Sequence, residues 1–247
     1  MSDARVGEET ISSPQGDYDA LRYVSAESPC PYLPGLRARS EAYFVDQLSG
    51  TLYERLLARG FRRSGRIVYR PRCRNCRECR SMRIPVNQFS RTRSLRRVWR
   101  GNSDVRVEVG DPVATDEKFQ LFCRYLDAQH DSAMARSYDS FCDFLYDSPM
   151  DTCEFRYSLG ERLIGVGLAD RWRGGLSSVY MYFDKALGER SLGTFSVLWE
   201  VEYCQREGLP YYYLGYYVAG CQKMAYKSRF RPNEVLVNDD RWIVFRN

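Results

Sequence analysis

Histidine is nearly missing from this chain. Among 247 residues there is one, His130. A nucleophile activated by histidine would rest on that residue alone, and its place at the end of a helical pattern reads as structural or surface. Lysine is almost as scarce, with four against 33 arginines. No apolar run approaches the roughly 20 residues of a membrane-spanning helix. The N-terminus is polar and acidic, without the pattern of an export leader. Nine cysteines with no such leader argue for a reducing compartment and against a disulfide framework, so the cytoplasm is the expected location and a membrane is not an expected partner. Acidic residues are missing from one long stretch. Between Arg59 and Arg100 stand fifteen arginines, no lysine and one acid, Glu78. The stretch carries about +14 and leaves about −9 elsewhere in a chain of net charge +5. Solvated faces usually mix signs; this one does not, and its natural partner is a phosphate backbone.

What is present is apolar and aromatic enough to bury a core, as one large domain or two smaller ones: 44% hydrophobic residues, with 19 Tyr and 12 Phe. Residues 1–16 read as a disordered tail. Residues 17–102 read as a Cys/Arg-rich N-terminal domain, and 103–247 as an α/β C-terminal domain. Arg37 to Gly60 reads as helical in parts, with Leu52, Leu56 and Leu57 as its stripe. Arg66–Arg70 and Ser81–Phe89 read as strands, the second with Pro85 near an edge. Ser90 to Arg100 reads as a basic helix in which Leu95, Val98 and Trp99 dock and the arginines stay free for phosphates. From Val105 onward strands and helices alternate, giving an expected central, mostly antiparallel sheet with a hairpin across Gly160-Glu161.

Two stretches carry chemistry. In Pro71-Arg-Cys-Arg-Asn-Cys-Arg-Glu-Cys79 the spacing C-x2-C-x2-C lets Cys73, Cys76 and Cys79 converge, and Cys30, held in the rigid Ser28-Pro-Cys-Pro-Tyr-Leu-Pro-Gly35 loop, is the natural fourth ligand. Zinc, an iron–sulfur cluster and free thiols in an RNA-binding loop all remain open, with the surrounding arginines expected to lower the thiol pKa values. The second stretch runs from Gly175 to Glu234. A strand over Leu176–Phe183 leads through Glu189-Arg-Ser-Leu-Gly-Thr194 into a helix, which Gly208 and Pro210 end before a second strand at Tyr211–Val218. A helix opening behind Arg190, Gly193 and Thr194 offers free N–H groups and an arginine to an anion. A similar loop in GNAT acyltransferases grips the pyrophosphate of acyl-CoA, but there the last position is Gly or Ala. Here it is Phe195, expected to crowd that ligand.

The phrases Ser178-Val-Tyr-Met-Tyr-Phe-Asp184, Arg190-Ser-Leu-Gly193, Tyr212-Tyr-Leu-Gly-Tyr-Tyr217 and Gly220-Cys-Gln-Lys-Met-Ala-Tyr-Lys227 closely resemble the C-terminal domain of the aminoacyl-tRNA–protein transferases. The resemblance extends through Cys30-Pro-Tyr-Leu-Pro-Gly35, the cysteine run and Ser94-Leu-Arg-Arg-Val98, covering about Tyr18 to Trp242. The short form is that of the bacterial branch, which moves leucine from leucyl-tRNA onto proteins beginning with Asp or Glu and so marks them for N-degron degradation. The resemblance implies a GNAT-like fold, aminoacyl-tRNA and acidic-N-terminus proteins as partners, and no cofactor for catalysis. In the related arginyl enzymes, N-terminal cysteines are linked to metal or cluster binding. The alternatives are an arginyl-tRNA transferase and an acyl-CoA-dependent GNAT enzyme.

The reaction that the resemblance implies is aminolysis of an activated ester, for which positioning and charge stabilisation could supply most of the catalysis. Asp184 is the expected proton acceptor, with Glu200 second. Tyr180 and Tyr182 share a strand face and line the amino-acid pocket or pack in the core. Lys223, Tyr226, Lys227 and Arg229 are expected at the acidic acceptor N-terminus or at the tRNA end, with Lys223 and Lys227 on one helical face. Arg190, Gly193 and Thr194 are assigned to the terminal phosphates, and Arg93, Arg96 and Arg97 to the tRNA backbone.

Overall fold

The structure is a computed structural model that describes residues 22–129, 136–238 and 241–246. The tail expected at 1–16, the start of the resemblance at Tyr18, and His130 lie outside the described residues. Strand β1 (Arg22–Val24) is followed by a two-stranded ribbon, β2 (Ser28–Pro29) and β3 (Arg37–Ala38), that closes the Cys30 loop. Next come β4 (Ser40–Phe44), α1 (Gly50–Ala58), β5 (Arg62–Ser64) and β6 (Ile67–Pro71). A small antiparallel sheet of order β1-β4-β6-β5 results. Only α1 answers the helix expected within 37–60. Its N-cap Ser49 accepts from the Leu52 N–H at 3.2 Å, and Tyr53, Leu56 and Leu57 are its buried stripe. Arg37 to Phe44 is extended instead.

The remaining elements are β7 (Arg80–Pro85), α2 (Arg93–Arg100), β8 (Arg106–Gly110), α3 (Asp116–Gln129), α4 (Tyr138–Phe141), β9 (Thr152–Leu159), β10 (Arg162–Trp172), β11 (Gly175–Phe183), α5 (Leu192–Arg206), β12 (Tyr211–Tyr217), α6 (Gln222–Ala225), β13 (Glu234–Val237) and β14 (Arg241–Val244). They build an eight-stranded sheet of order β14-β13-β7-β12-β11-β10-β9-β8. Every neighbouring pair is antiparallel except β11 with β12. The mostly antiparallel α/β expectation matches this. A boundary at 102 falls behind β7 and α2, and both belong to the large sheet's layers: β7 lies between β13 and β12, and α2 packs on α5. Met82 and Ile84 of β7 are fully buried there. Strand β7 is therefore interior, and Pro85 is tolerated because it is the last residue, opposite Tyr211 where the ladder ends.

Apolar side chains fill both faces of the sheet. On one side Leu192, Phe195, Leu198 and Val201 of α5 and Leu95 of α2 meet Met82, Ile84, Phe155, Tyr157 and Tyr212. On the other, Leu121, Phe122 and Leu126 of α3 with Phe141 meet Val166, Leu168 and Tyr182. The small sheet and α1 pack beside them against Trp172 and Tyr213. A buried ionic knot fastens the small sheet in place. Asp170 of β10 accepts from Arg63 Nε and Nη2 at 2.7 and 2.6 Å, from Thr152 Oγ1 at 2.7 Å and from Tyr53 Oη at 2.8 Å. Four donors on one carboxylate offset the cost of burying that charge.

Candidate active site

Strands β11 and β12 are where the sheet opens. They pair in parallel only at Leu176 with Tyr212 and Ser177 with Tyr213. Beyond those pairs no ladder joins them. Both strands are irregular at that point: the register of β11 slips between Ser178 and Tyr180, and that of β12 between Tyr213 and Gly215. Parted strands leave carbonyls that need donors. Two cations supply them. Arg62, from β5 of the small sheet, donates through Nη1 to Ser177 Oγ at 3.0 Å and through Nη2 to the Ser178 carbonyl. Lys227 donates through Nζ to the Tyr216 carbonyl at 2.7 Å, with Met224 Sδ at 3.4 Å. Gly215 makes room for the first: a Cβ there would stand 3.3 Å from Arg62 Nη2, and its φ of 87° is in any case a glycine conformation.

The two cations are buried, at 8% exposure each. Asp170 is engaged by Arg63, so neither Arg62 nor Lys227 has a carboxylate partner among the described residues. Burial first, and then the positive charge of Arg62, pull Lys227 from 10.5 down to about 7. Lys223 and Arg229 stay exposed, and Tyr226 is half-buried between them. The single helical face expected for Lys223 and Lys227 is not formed, because α6 ends at Ala225 and a 3-10 turn over Tyr226–Arg229 turns Lys227 inward.

On the α5 side of the same strands, Tyr212 donates to Glu200 Oε2 at 2.6 Å. Glu200 is 2% exposed. Burial pushes its carboxyl up to about 7, against the opposing pull of Tyr212 and Tyr157. Sequence reasoning ranked Glu200 second; its position on the helix, three residues from Val197 and Tyr203 on the inward side, was the available signal.

Asp184, ranked first, is engaged elsewhere. Its Oδ1 accepts from the Ala186 N–H at 2.9 Å, capping the 3-10 turn Lys185–Arg190, and its Oδ2 pairs with Arg162. Tyr182 is fully buried and shares a 3.0 Å hydrogen bond with Tyr146, whose hydroxyl donates to Glu154. Tyr180 shares its face, as alternation requires, and packs edge-on to Phe144 and Phe122. Both tyrosines thus serve the α3 side of the core.

The anion loop also differs from expectation. Arg190 is clamped by Asp104 at 2.8 and 2.9 Å, and its carbonyl accepts from Asn102 at 2.8 Å. The side chain of Ser191, with φ 53°, makes no cap on α5, so the first turn at Leu192, Gly193 and Thr194 relies on its backbone. Phe195 does not crowd this loop. Helical phase turns it inward onto Trp99 and Tyr157. Gly193 packs against the Phe183 ring, which a Cβ would reach at 3.4 Å.

Along α2, Thr92 caps the helix and Leu95 is buried, which turns Arg93, Arg96, Arg97 and Arg100 to the surface. Arg93, Arg97 and Arg100 line an open groove with Thr92 and Ser94. These arginines form no ion pair among the described residues, unlike Arg91, which stacks on Trp99 at 3.8 Å and pairs with Glu202.

The cysteine run folds as a loop against the small sheet. Cys30, Cys73 and Cys79 line a cavity of about 180 Å³ with Tyr32, Tyr69 and Tyr216. Burial and the neighbouring thiols of Cys30, Cys73 and Cys76 push Cys79 up to about 12. The arginines do not lower it as expected because they are directed elsewhere: Arg70 and Arg72 to Glu41, and Arg77 to the carbonyls of Cys73 and Cys76. The four sulfurs gather, yet among the described residues no three Cys, His, Asp or Glu side chains stand in an arrangement that holds a metal ion.

Residues 28–97 match the family model described as "Arginine-tRNA-protein transferase, N terminus", and residues 117–237 match "Arginine-tRNA-protein transferase, C terminus". The chain is 38% identical over 226 residues to a protein of Hahella chejuensis named aspartate/glutamate leucyltransferase, covering 90% of this chain and 95% of that one. Proteins of the same name from Alkalilimnicola ehrlichii (41% over 228 residues, 90% and 94% covered) and Paramagnetospirillum magneticum (42% over 229 residues, 89% and 91% covered) are similar. Among solved structures, the C-terminal domain of a putative lysylphosphatidylglycerol synthetase from Agrobacterium fabrum is similar at 15% identity and a TM-score of 0.46. That match covers 72% of this chain and 54% of that chain, so this chain spans about half its length. Among the described residues no helix is long and apolar enough to cross a membrane.

Proposed function

The chain belongs to the arginine-tRNA-protein transferase family, and we propose that it moves leucine from leucyl-tRNA to the α-amine of proteins beginning with Asp or Glu, which marks them for N-degron degradation. One observation carries the reading: 38% identity with an aspartate/glutamate leucyltransferase across 90% of this chain and 95% of that one. The open end of β11 and β12 is the proposed reaction site. There the side-chain carboxylate of the acceptor's first residue enters between Arg62 and Lys227, the two buried cations that lack an acid partner. A carboxylate beside Lys227 restores its proton, so acceptor binding is coupled to proton uptake near pH 7. Tyr226 with exposed Lys223 and Arg229 borders the entrance.

The donor lies along the other edge. Arg93, Arg96 and Arg97 take tRNA phosphates, and the first turn of α5 at Gly193 and Thr194, beside Arg190, faces the terminal nucleotides. The α-amine attacks the ester carbonyl, the C–N bond forms, and the bond to the tRNA 3′ oxygen breaks. The α-amine pKa of about 8 leaves part of it neutral already. We read the fold as GNAT-like, supported by the parallel strands that part after two residue pairs. Use of acyl-CoA is disfavoured, because the run of fifteen arginines with one acid between Arg59 and Arg100 suits a long phosphate backbone better than a single pyrophosphate. We also propose Cys30, Cys73, Cys76 and Cys79 as holders of a structural zinc ion or iron–sulfur cluster, on the donor chemistry of thiols that line one cavity; the sulfurs would have to draw together from the arrangement described, and no step of the transfer passes through the site. Metal analysis of anaerobically purified protein tests that site.

The deciding assay offers purified protein labelled leucyl-tRNA and, separately, arginyl-tRNA, with peptides beginning Asp, Glu, Lys or Ala. Leucine on the Asp and Glu peptides alone is the expected result. Arginine on them would keep the mechanism and change the donor. No transfer from either donor refutes the reading.

A further inference from the structure

The amine must shed a proton before it attacks, and Asp184 is committed to a cap and to Arg162. The strand opening contains another route. Ser178 is half-buried, its carbonyl accepts from Arg62, and its hydroxyl lies near enough to that of Tyr212 to influence it. Tyr212 in turn donates to Glu200 at 2.6 Å. The buried Tyr157 hydroxyl, which completes no hydrogen bond of good geometry, faces the same carboxylate. We infer that Glu200 takes the acceptor's ammonium proton through Tyr212 and Ser178, with Ser178 the only one of the three to touch substrate.

The inference rests on the reading that this opening receives the α-amine. Its balance is simple. Ser178 accepts a proton from the ammonium and passes its own to Tyr212, which passes its own to the Glu200 carboxylate, leaving a neutral amine and a neutral Glu200. The amine then forms the amide bond. As the C–O bond breaks, the second nitrogen proton goes to the tRNA 3′ oxygen, and Glu200 returns its proton to solvent after product leaves. Tyr212 acts only by concerted transfer, since burial and the adjacent Glu200 hold its hydroxyl protonated.

The surroundings suit a carboxylate that exchanges a proton. Facing Glu200 are Tyr157 and Cys153 from β9, the backbone of Gly167 from β10, Tyr212 from β12, Tyr226 from the 3-10 turn, and Cys204 on its own helix. None is a cation, so nothing locks the charged form. A carboxyl group kept for packing alone needs no donor chain leading to an accessible serine.

The test is leucine transfer by the full chain to an Asp-initiated peptide across pH. Wild type is expected to rise through about pH 7 and level off, the limb set by Glu200. Glu200→Gln keeps the shape and the Tyr212 bond. Its kcat should fall about 100-fold, its acidic limb should move to about 8, the value of the amine itself, and KM and tRNA affinity should hold. Tyr212→Phe should lose as much, and the double variant no more than either alone. Unchanged turnover in Glu200→Gln overturns the inference. So does a lower turnover with an unmoved limb, because a packing role changes the rate and not the titration. Should Glu200→Gln fail to fold, Ser178→Ala decides: full turnover with the limb intact overturns it, and a comparable loss supports it. A wild type that transfers nothing refutes the functional reading and the relay with it, whereas active wild type with an unaffected Glu200→Gln overturns the relay alone.

Discussion

Lys227→Met should make the protein more stable and less active. Burial holds Lys227 at about 7 instead of 10.5, and the charge of Arg62 adds to the effect. For a base whose folded value lies below its unfolded one, the penalty is complete below the folded value. It shrinks as pH rises and vanishes above the unfolded value. At about 1.4 kcal/mol per pH unit, the ceiling at pH 7 is about 5 kcal/mol. Methionine fills similar space but leaves the Tyr216 carbonyl, now bonded at 2.7 Å, without its donor. A buried carbonyl so deprived costs about 1–3 kcal/mol. The net gain is about 2–4 kcal/mol, or ~4–16 °C in melting temperature for a chain of this length. Thermal melts of both proteins from about pH 6.5 to 9.5 measure it, and the gap should narrow steadily with pH. Transfer to Asp peptides should fall about 10- to 100-fold in kcat/KM through loss of a charge-assisted contact. A variant no more stable at pH 7, or one whose advantage does not shrink with pH, refutes the reasoning. The residue would then be an ordinary surface-compensated lysine.

Other expectations follow from single sites. Glu41 is buried and accepts from Arg22, Arg70 and Arg72, each at 2.9 Å. Burial raises its carboxyl, but the arginines, Arg70 foremost, overcome this and hold it at about 2. Its contribution is whole above about 4.5 and disappears as pH falls through 2. Glu41→Gln should therefore cost about 2–3 kcal/mol near neutrality, discounted for the partly exposed arginines, and flatten the acid limb of a stability–pH curve. Gly215→Ala forces an L residue to φ 87° and sets a methyl 3.3 Å from Arg62 Nη2. It should cost about 1–2 kcal/mol in chemical denaturation and lower transfer. Replacing Arg93 and Arg97 by Gln should weaken tRNA binding and reduce its salt slope by about 1 per arginine, in titrations at several salt concentrations, while leaving peptide KM unchanged.

Much of the fold was readable because its cues are local. Alternation at Val105, Val107 and Val109 marks β8, Thr115 marks the start of α3, and Gly208 with φ 67° marks the end of α5. The strands at 176–183 and 211–218 were readable for the same reason, since each is a contiguous run. Misplaced features depended on distant partners. Asp184 sits at a strand end, where a carboxylate either caps the next turn or faces a ligand, and only the approach of Arg162 and the Ala186 N–H decides between them. Lys223 and Lys227 are four apart, but the helix stops between them.

The sequence by itself determined the family, the strand–helix–strand order around the site, the charge imbalance and the helix with its arginines turned outward, because composition, periodicity and contiguous motifs do not depend on what the chain folds against. Tertiary structure alone decided which charges are free. Arg62 and Arg63 are adjacent in sequence and identical in chemistry, yet Asp170 neutralises the second while the first enters the parted strands beside Lys227. Placement of β7 inside the large sheet and of Glu200 beneath Tyr212 was decided the same way. Burial and the identity of the nearest opposite charge, neither of which is written along the chain, set the state of each ionisable group.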